Sequence, residues 1–160
     1  FVARGVLLNR ESCMGKEMLT EGTAYTREDV MACEEKQGIN IEQGDVVLFH
    51  SGWMNLLATD PDKFVKVQPG LGISGAEYLA EKDVIAVGAD TSALEVIPFE
   101  NPKVMFRVHQ ILLNYNGIYI LENMDTRELA ADKAHEFMFV LGPARITGAV
   151  QMIINPIAIR

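Results

Sequence analysis

His109 and Glu122 are the pair whose residue types and spacing could do chemistry together. They lie thirteen positions apart within Arg107 to Asp125, RVHQILLNYNGIYILENMD. An imidazole and a carboxylate converging on one pocket form a ligand pair that zinc or manganese accepts. Asn116–Gly117, between them, is a tight-turn signal, because both residue types tolerate positive φ. A turn there lets Ile118–Leu121 run back beside the segment that carries His109 and brings Glu122 toward the imidazole. Spacing alone leaves a second reading open, a packed histidine and a solvent-facing glutamate, since no short ligand motif of a recognised kind is present.

Other constellations compete with this pair. Gly70-Leu-Gly72-Ile-Ser-Gly75 fits the dinucleotide fingerprint G-x-G-x-x-G, and Asp90 falls twenty residues on, where a ribose-binding carboxylate would sit. The fingerprint needs a buried strand before its first glycine, so that the turn aims backbone amides at the pyrophosphate. Phe64 to Pro69 is short, interrupted by polar residues and closed by a proline, so a glycine-rich loop leading into a helix is the simpler reading. His50-Ser51 suggests a nucleophile and its base, but neighbours on an extended strand point to opposite faces. No G-x-S-x-G elbow is present. His135 reads as a surface or cap residue. Trp53, the single tryptophan, reads as core packing first and as a ligand wall second.

The elements that must position these residues follow from pattern. Gly5 to Leu8 reads as a first strand, and Asn9 to Ala24 as mixed and turn-rich. Thr26-Arg27-Glu28-Asp29 opens a helix to about Gln37, ended by Gly38, with Val30, Met31 and Cys33 toward the core. Asp45 to His50 is a near-continuous apolar run suited to a buried strand, and Val84 to Gly88 is another. Ala58 to Val67 is a loop or short helix. Ser74 to Lys82 is a second capped helix, and Asp125 to Glu128 caps a short third one. Glu136 to Leu141 and Ile146 to Ile159 read as closing strands, with Pro156 at an edge or bulge. Strands and helices alternate, so the class is α/β, or α+β with a mixed sheet.

Composition bounds the partners. The 160 residues suit one domain with a substantial core, and 49% hydrophobic against 22% charged residues mark a globular chain. A net charge of −8 argues against nucleic acid, whose phosphates demand a basic face. No apolar run is long enough to span a bilayer. Cys13 and Cys33 are too few and too far apart in sequence for a disulfide framework or a zinc knuckle, which makes a reducing, cytoplasmic setting the default.

Several strings, in order, resemble one family. They are Gly44-Asp-Val-Val-Leu-Phe-His-Ser-Gly-Trp53, Val87-Gly-Ala-Asp-Thr91, Val108-His-Gln-Ile-Leu-Leu113 with Gly117-Ile-Tyr-Ile-Leu-Glu-Asn123, and Pro143-Ala-Arg-Ile-Thr-Gly-Ala149 through Asn155-Pro156. Together they resemble the cyclase family of metal-dependent hydrolases, which includes bacterial kynurenine formamidase and isatin hydrolase. The resemblance spans essentially the whole chain. It implies a swivelling β/β/α fold, usually in homo-oligomers, and a divalent metal, zinc or manganese. The bound water of that metal would attack the carbonyl of a small cyclic or N-acyl amide, or of a lactone. His109 and Glu122 match the family's late histidine and carboxylate at the metal centre. Trp53 matches the aromatic after a Ser/Thr-Gly pair, near the substrate pocket in some members.

One departure matters. The family's main metal motif, H-x-G-T-H-x-D-x-P-x-H, supplies most ligands and a histidine acting as acid/base, and it has no counterpart here. The histidines are His50, His109 and His135. A catalytic zinc keeps three protein ligands and a water, and this chain offers two. The opening Phe1-Val-Ala-Arg-Gly-Val-Leu-Leu8 reads as an interior strand that fits the middle of such proteins. The expectation is one cyclase-like domain over residues 1–160 that lacks its N-terminal part, where the acid/base histidine would lie. The alternative is a non-catalytic binding or assembly module of the same fold, with a dinucleotide-binding domain through Gly70–Gly75 third.

Overall fold

A computed structural model describes residues 1–160. Strand β1 (Val2–Asn9) runs into a one-turn helix α1 (Arg10–Met14), a two-residue strand β2 (Ala24–Tyr25) and helix α2 (Arg27–Gln37). Strand β3 (Val46–His50) leads through a 3₁₀ turn at Trp53–Asn55 into short helices α3 (Leu56–Thr59) and α4 (Pro61–Lys66). Next come β4 (Gly70–Leu71), α5 (Ile73–Glu81), β5 (Ala86–Ala89) and α6 (Arg107–His109), which continues as a π-helical turn over Gln110–Tyr115. β6 (Tyr119–Leu121), α7 (Arg127–Ala131), β7 (Glu136–Val140) and β8 (Ile157–Ile159) complete the chain.

Six strands form one mixed sheet in the order β6-β5-β3-β1-β7-β8. β1, β3, β5 and β6 are parallel, while β7 and β8 join antiparallel on the far side. β3 is buried at all five positions, as a central parallel strand covered on both faces should be. The alternation of β1 divides the core: Val6 and Leu8 join the larger cluster beneath α2, α5 and the π turn, while Leu7 joins a smaller one with Phe137, Phe139 and Leu129. Because the four parallel strands end together, Asn9, His50, Asp90 and Glu122 line up along one edge, the edge where α/β sheets carry their sites.

The elements read from pattern are largely present, with informative differences. α2 has the full capping box, Thr26 accepting from the Asp29 amide while Asp29 accepts from that of Thr26, and Gly38 closes it in the left-handed conformation. Met31, expected inside, is half exposed, because it falls on the solvent side of the helix away from Val30 and Cys33. Ile146 to Ile159 forms a strand only at Ile157–Ile159, where it pairs with Met138–Val140 of β7, and Pro156 just before it lacks a donor. His135 meets Gln37 through Nδ1, 2.7 Å from its amide nitrogen.

The cysteines correct the sequence reading. α1 packs against α2, bringing the Cys13 and Cys33 Cα atoms within 5.5 Å, and the pair forms a disulfide. Distance along the chain was a poor guide to distance in space, and the pairing withdraws the cysteine-based argument for a reducing compartment. Closing a loop with a sequence separation of 20 contributes about 3 kcal/mol on the chain-entropy account. A Cys13→Ser, Cys33→Ser double variant is therefore expected to lose about 3 kcal/mol of unfolding free energy in urea, with a steeper slope because the uncrosslinked unfolded chain exposes more surface. An unfolding free energy equal to that of the oxidised parent would contradict this.

Candidate functional site

His109 and Glu122 meet as expected, but the turn between them is built differently from a hairpin. His109 ends α6, the chain continues through the π turn, and Gly117 at φ 65° releases it into β6. His109 Nε2 lies 3.3 Å from Glu122 Oε1. The opposite ring nitrogen, Nδ1, lies 2.7 Å from Glu95 Oε2, and the same oxygen accepts the His109 backbone N–H at 3.1 Å. Glu95 is buried, whereas the His109 and Glu122 side chains remain 22% and 27% exposed. The imidazole is thus held between a buried carboxylate behind it and a carboxylate at the solvent rim.

Burial disfavours the charged ring, but hydrogen bonding to Glu122 and Glu95 outweighs it and raises the His109 pKa to about 9. A proton between His109 and Glu122 occupies the place where a cation would bind both. Since the folded pKa lies above the unfolded value of 6.5, the stabilisation is fully present below pH 6.5 and is lost as pH rises through about 9. With one side open to solvent, screening reduces this to about 1–2 kcal/mol. Metal-free protein is expected to lose that much relative to a His109→Gln variant between those limits in urea titrations. Parallel pH curves for the two proteins would contradict it.

The backbone around the pair is unusual. Leu94, Phe106 and Asn123, all with positive φ near 55°, immediately precede Glu95, precede α6 and follow Glu122. Left-handed conformations at bulky residues cost energy and cluster where function demands them, as do π turns. Phe106 also sets its ring edge against His109, at 5.0 Å between centroids.

A second polar cluster lies along the same strand edge. His50 Nδ1 is 2.7 Å from the Thr126 hydroxyl and 3.6 Å from Asp90, and Nε2 is 3.2 Å from Glu11. Asp90 is fully buried and accepts from the Ser51 amide and, at 2.6 Å, from the Ser51 hydroxyl. Burial pushes the Asp90 and Glu11 carboxyls above their ordinary range against the opposing pull of His50. His50 and Ser51 make no bond to each other, as strand alternation requires, yet both meet Asp90 because Ser51 lies just beyond the strand. Asp125, which opens the predicted third helix, accepts from the Arg127 amide at 3.3 Å, while the Thr126 hydroxyl makes no cap bond and is engaged by His50. A cavity of about 360 Å³ opens here, bordered by Asn9, Glu11, His50, Asn55 and Arg127.

The remaining site residues separate. Trp53 is fully buried, packs with Met54 and Phe64, and donates its indole N–H to the Phe64 carbonyl, so the ring shows no face to solvent in this chain. Asp90, twenty residues after Gly70, is occupied by Ser51 and lies in that internal network. The G-x-G-x-x-G stretch is the glycine-rich loop leading into a helix that its polar, proline-closed approach suggested: β4 pairs with β2 and, at Leu71, bridges to Glu95, all outside the main sheet, and the Glu100 carboxylate already accepts from the Ile73 amide at the start of α5. Gly70 is required for another reason, since a Cβ there would lie 2.4 Å from the Leu94 carbonyl oxygen. Glu95 was missed from sequence; its only signal is a carboxylate between apolar Leu94 and Val96 at a strand-edge loop. No group of three or more His, Cys, Asp or Glu side chains is arranged to hold a metal ion. No helix is long and apolar enough to cross a membrane.

The mixed sheet defines a fold shared with several solved structures. A crystal structure of a novel cyclase is 32% identical, with TM-score 0.89, matched over all of this chain and 54% of its own. Isatin hydrolase A from Ralstonia solanacearum is 21% identical, with TM-score 0.80, over 99% of this chain and 60% of its own. A potential metal-dependent hydrolase with cyclase activity is 21% identical, with TM-score 0.62, over 92% and 60%. The chain thus spans little more than half the length of these relatives. No curated protein matches the sequence. Residues 1–96 match the family described as "Putative cyclase", more than half of the chain, and the protein belongs to that family.

Proposed function

We propose that this chain forms the C-terminal part of a metal-dependent hydrolase acting on a small cyclic or N-acyl amide, or on a lactone. The observation that carries the reading is the convergence of His109 Nε2 and Glu122 Oε1, 3.3 Å apart at the solvent rim, on a single point. One nitrogen and one oxygen donor suit zinc or manganese, and the remaining positions would be filled by a preceding segment carrying further histidines and an aspartate. When bound, such a cation supplies Lewis-acid activation of a water and of the substrate carbonyl. The chain's own residues do the rest: His109 and Glu122 hold it, and Phe106 closes one side of the imidazole against solvent. A homo-oligomer fits the same reading.

A metal-free binding module of the same fold is favoured by one observation, that only two ligand-type side chains converge at the rim. Metal analysis of the longest native form of the protein separates the two, together with assays on cyclic amides, N-acyl amides and lactones. One divalent metal per chain and hydrolysis of one of these classes is the expected result. Protein free of metal and inert toward all three overturns the hydrolase reading in favour of the module.

A further inference from the structure

Glu95 belongs to no motif read from the sequence, yet the molecule invests heavily in placing it. Gln68, fully buried, donates its side-chain amide to the Glu95 carbonyl at 2.7 Å and accepts from the Ser92 amide and hydroxyl. Its backbone also exchanges hydrogen bonds with Ile97 in both directions, so residues 92–97 are pinned at both ends and in the middle. Leu94, fully buried, holds φ 54°, a conformation that tight packing must enforce. Close backbone approach of this segment to β4 is possible only because residue 70 is glycine.

All of this delivers one carboxylate oxygen. Glu95 Oε2 takes both the His109 backbone N–H and the ring nitrogen Nδ1, tying ring and helix together. We propose that Glu95 is a positioning residue for the metal centre. It accepts the Nδ1 proton of His109, fixes the rotation of the ring, and leaves the Nε2 lone pair as the donor facing Glu122. This rests on the reading of His109 and Glu122 as metal ligands. Carboxylates behind a ligating imidazole set its tautomer and raise its basicity, and losing one typically costs 10–100-fold in metal affinity. A carboxylate present only to satisfy a helix amide would need no contact with the ring.

The test uses the longest native form of the protein and two independent readings. Zinc affinity is measured by chelator competition, and the tautomer of His109 in metal-free protein is read from its ring nitrogen NMR shifts at an alkaline pH where those shifts report a neutral ring. Glu95→Ala is expected to weaken zinc binding about 10–100-fold and to release the ring from the Nδ1–H tautomer. Glu95→Gln, which keeps an acceptor oxygen, is expected to recover most of both. Should Glu95→Ala not fold, Glu95→Leu fills similar volume without an acceptor and carries the same expectation. Unchanged zinc affinity together with an unchanged tautomer overturns the proposal. If the parent protein binds no zinc, the hydrolase reading fails by itself. The tautomer then still decides whether Glu95 positions the ring, and its retention without the carboxylate overturns that role.

Discussion

A His109→Ala variant of the longest native form is expected to lose its bound metal and at least about a thousandfold in hydrolytic rate. The magnitude follows from what the cation supplies: polarising a carbonyl and activating water contribute several kcal/mol, and ~4 kcal/mol is roughly three powers of ten. Alanine also leaves Glu95 and Glu122 facing one another with no cation or imidazole between them. The fold should survive, because the His109 side chain is partly exposed and its helix is anchored by Val108, Ile111 and Leu112 in the main core. Glu122→Gln keeps the shape but removes the rim charge, so a weaker metal and a smaller rate loss are expected. Metal analysis, circular dichroism and initial rates on the three proteins make the comparison. Full metal content with unchanged rate in His109→Ala would remove His109 from the site.

The site was legible from sequence in part, and the boundary follows physical lines. His109 and Glu122 could be paired because one local signal, Asn116–Gly117, turns the chain between them; the turn proved to be a helix end, but it reverses direction all the same. α2 was legible for the same reason, since its capping box and closing glycine are contained within the segment itself. Glu95 was not, because its meeting with His109 depends on the cross-chain clamp of Gln68 and Gly70 on residues 92–97. The Gly70–Gly75 decoy shows the converse: glycine reports a close approach or a special φ without naming what comes close. Cys13 and Cys33 failed because their pairing depends on how α1 docks on α2. The link from Thr126 to His50 was invisible for the same reason, since it joins residues 76 positions apart.

Asp90→Ala is expected to be strongly destabilising, by about 3–5 kcal/mol, because it leaves several buried polar groups without their shared acceptor. Asp90 is fully buried, and its oxygens serve the Ser51 amide, the Ser51 hydroxyl and the ring of His50. Alanine would strand a buried amide and hydroxyl and leave His50 to Glu11 and Thr126 alone. The loss would loosen the ends of β3 and β5 where they meet, and with them the start of α1, which Glu11 ties to the sheet. Asp90→Asn retains an oxygen for Ser51 and should cost about 1–2 kcal/mol, the penalty of imperfectly matched polar partners. Asparagine also removes the carboxyl that burial holds above its ordinary range, so stability should fall less steeply with rising pH in this variant than in the parent. Urea unfolding of the three proteins across the acidic range tests both statements. An Asp90→Ala protein within about 1 kcal/mol of the parent would mean that the buried carboxylate costs as much in desolvation as its partners return. The cluster at His50 would then owe its place to the cavity it borders rather than to the stability of the sheet.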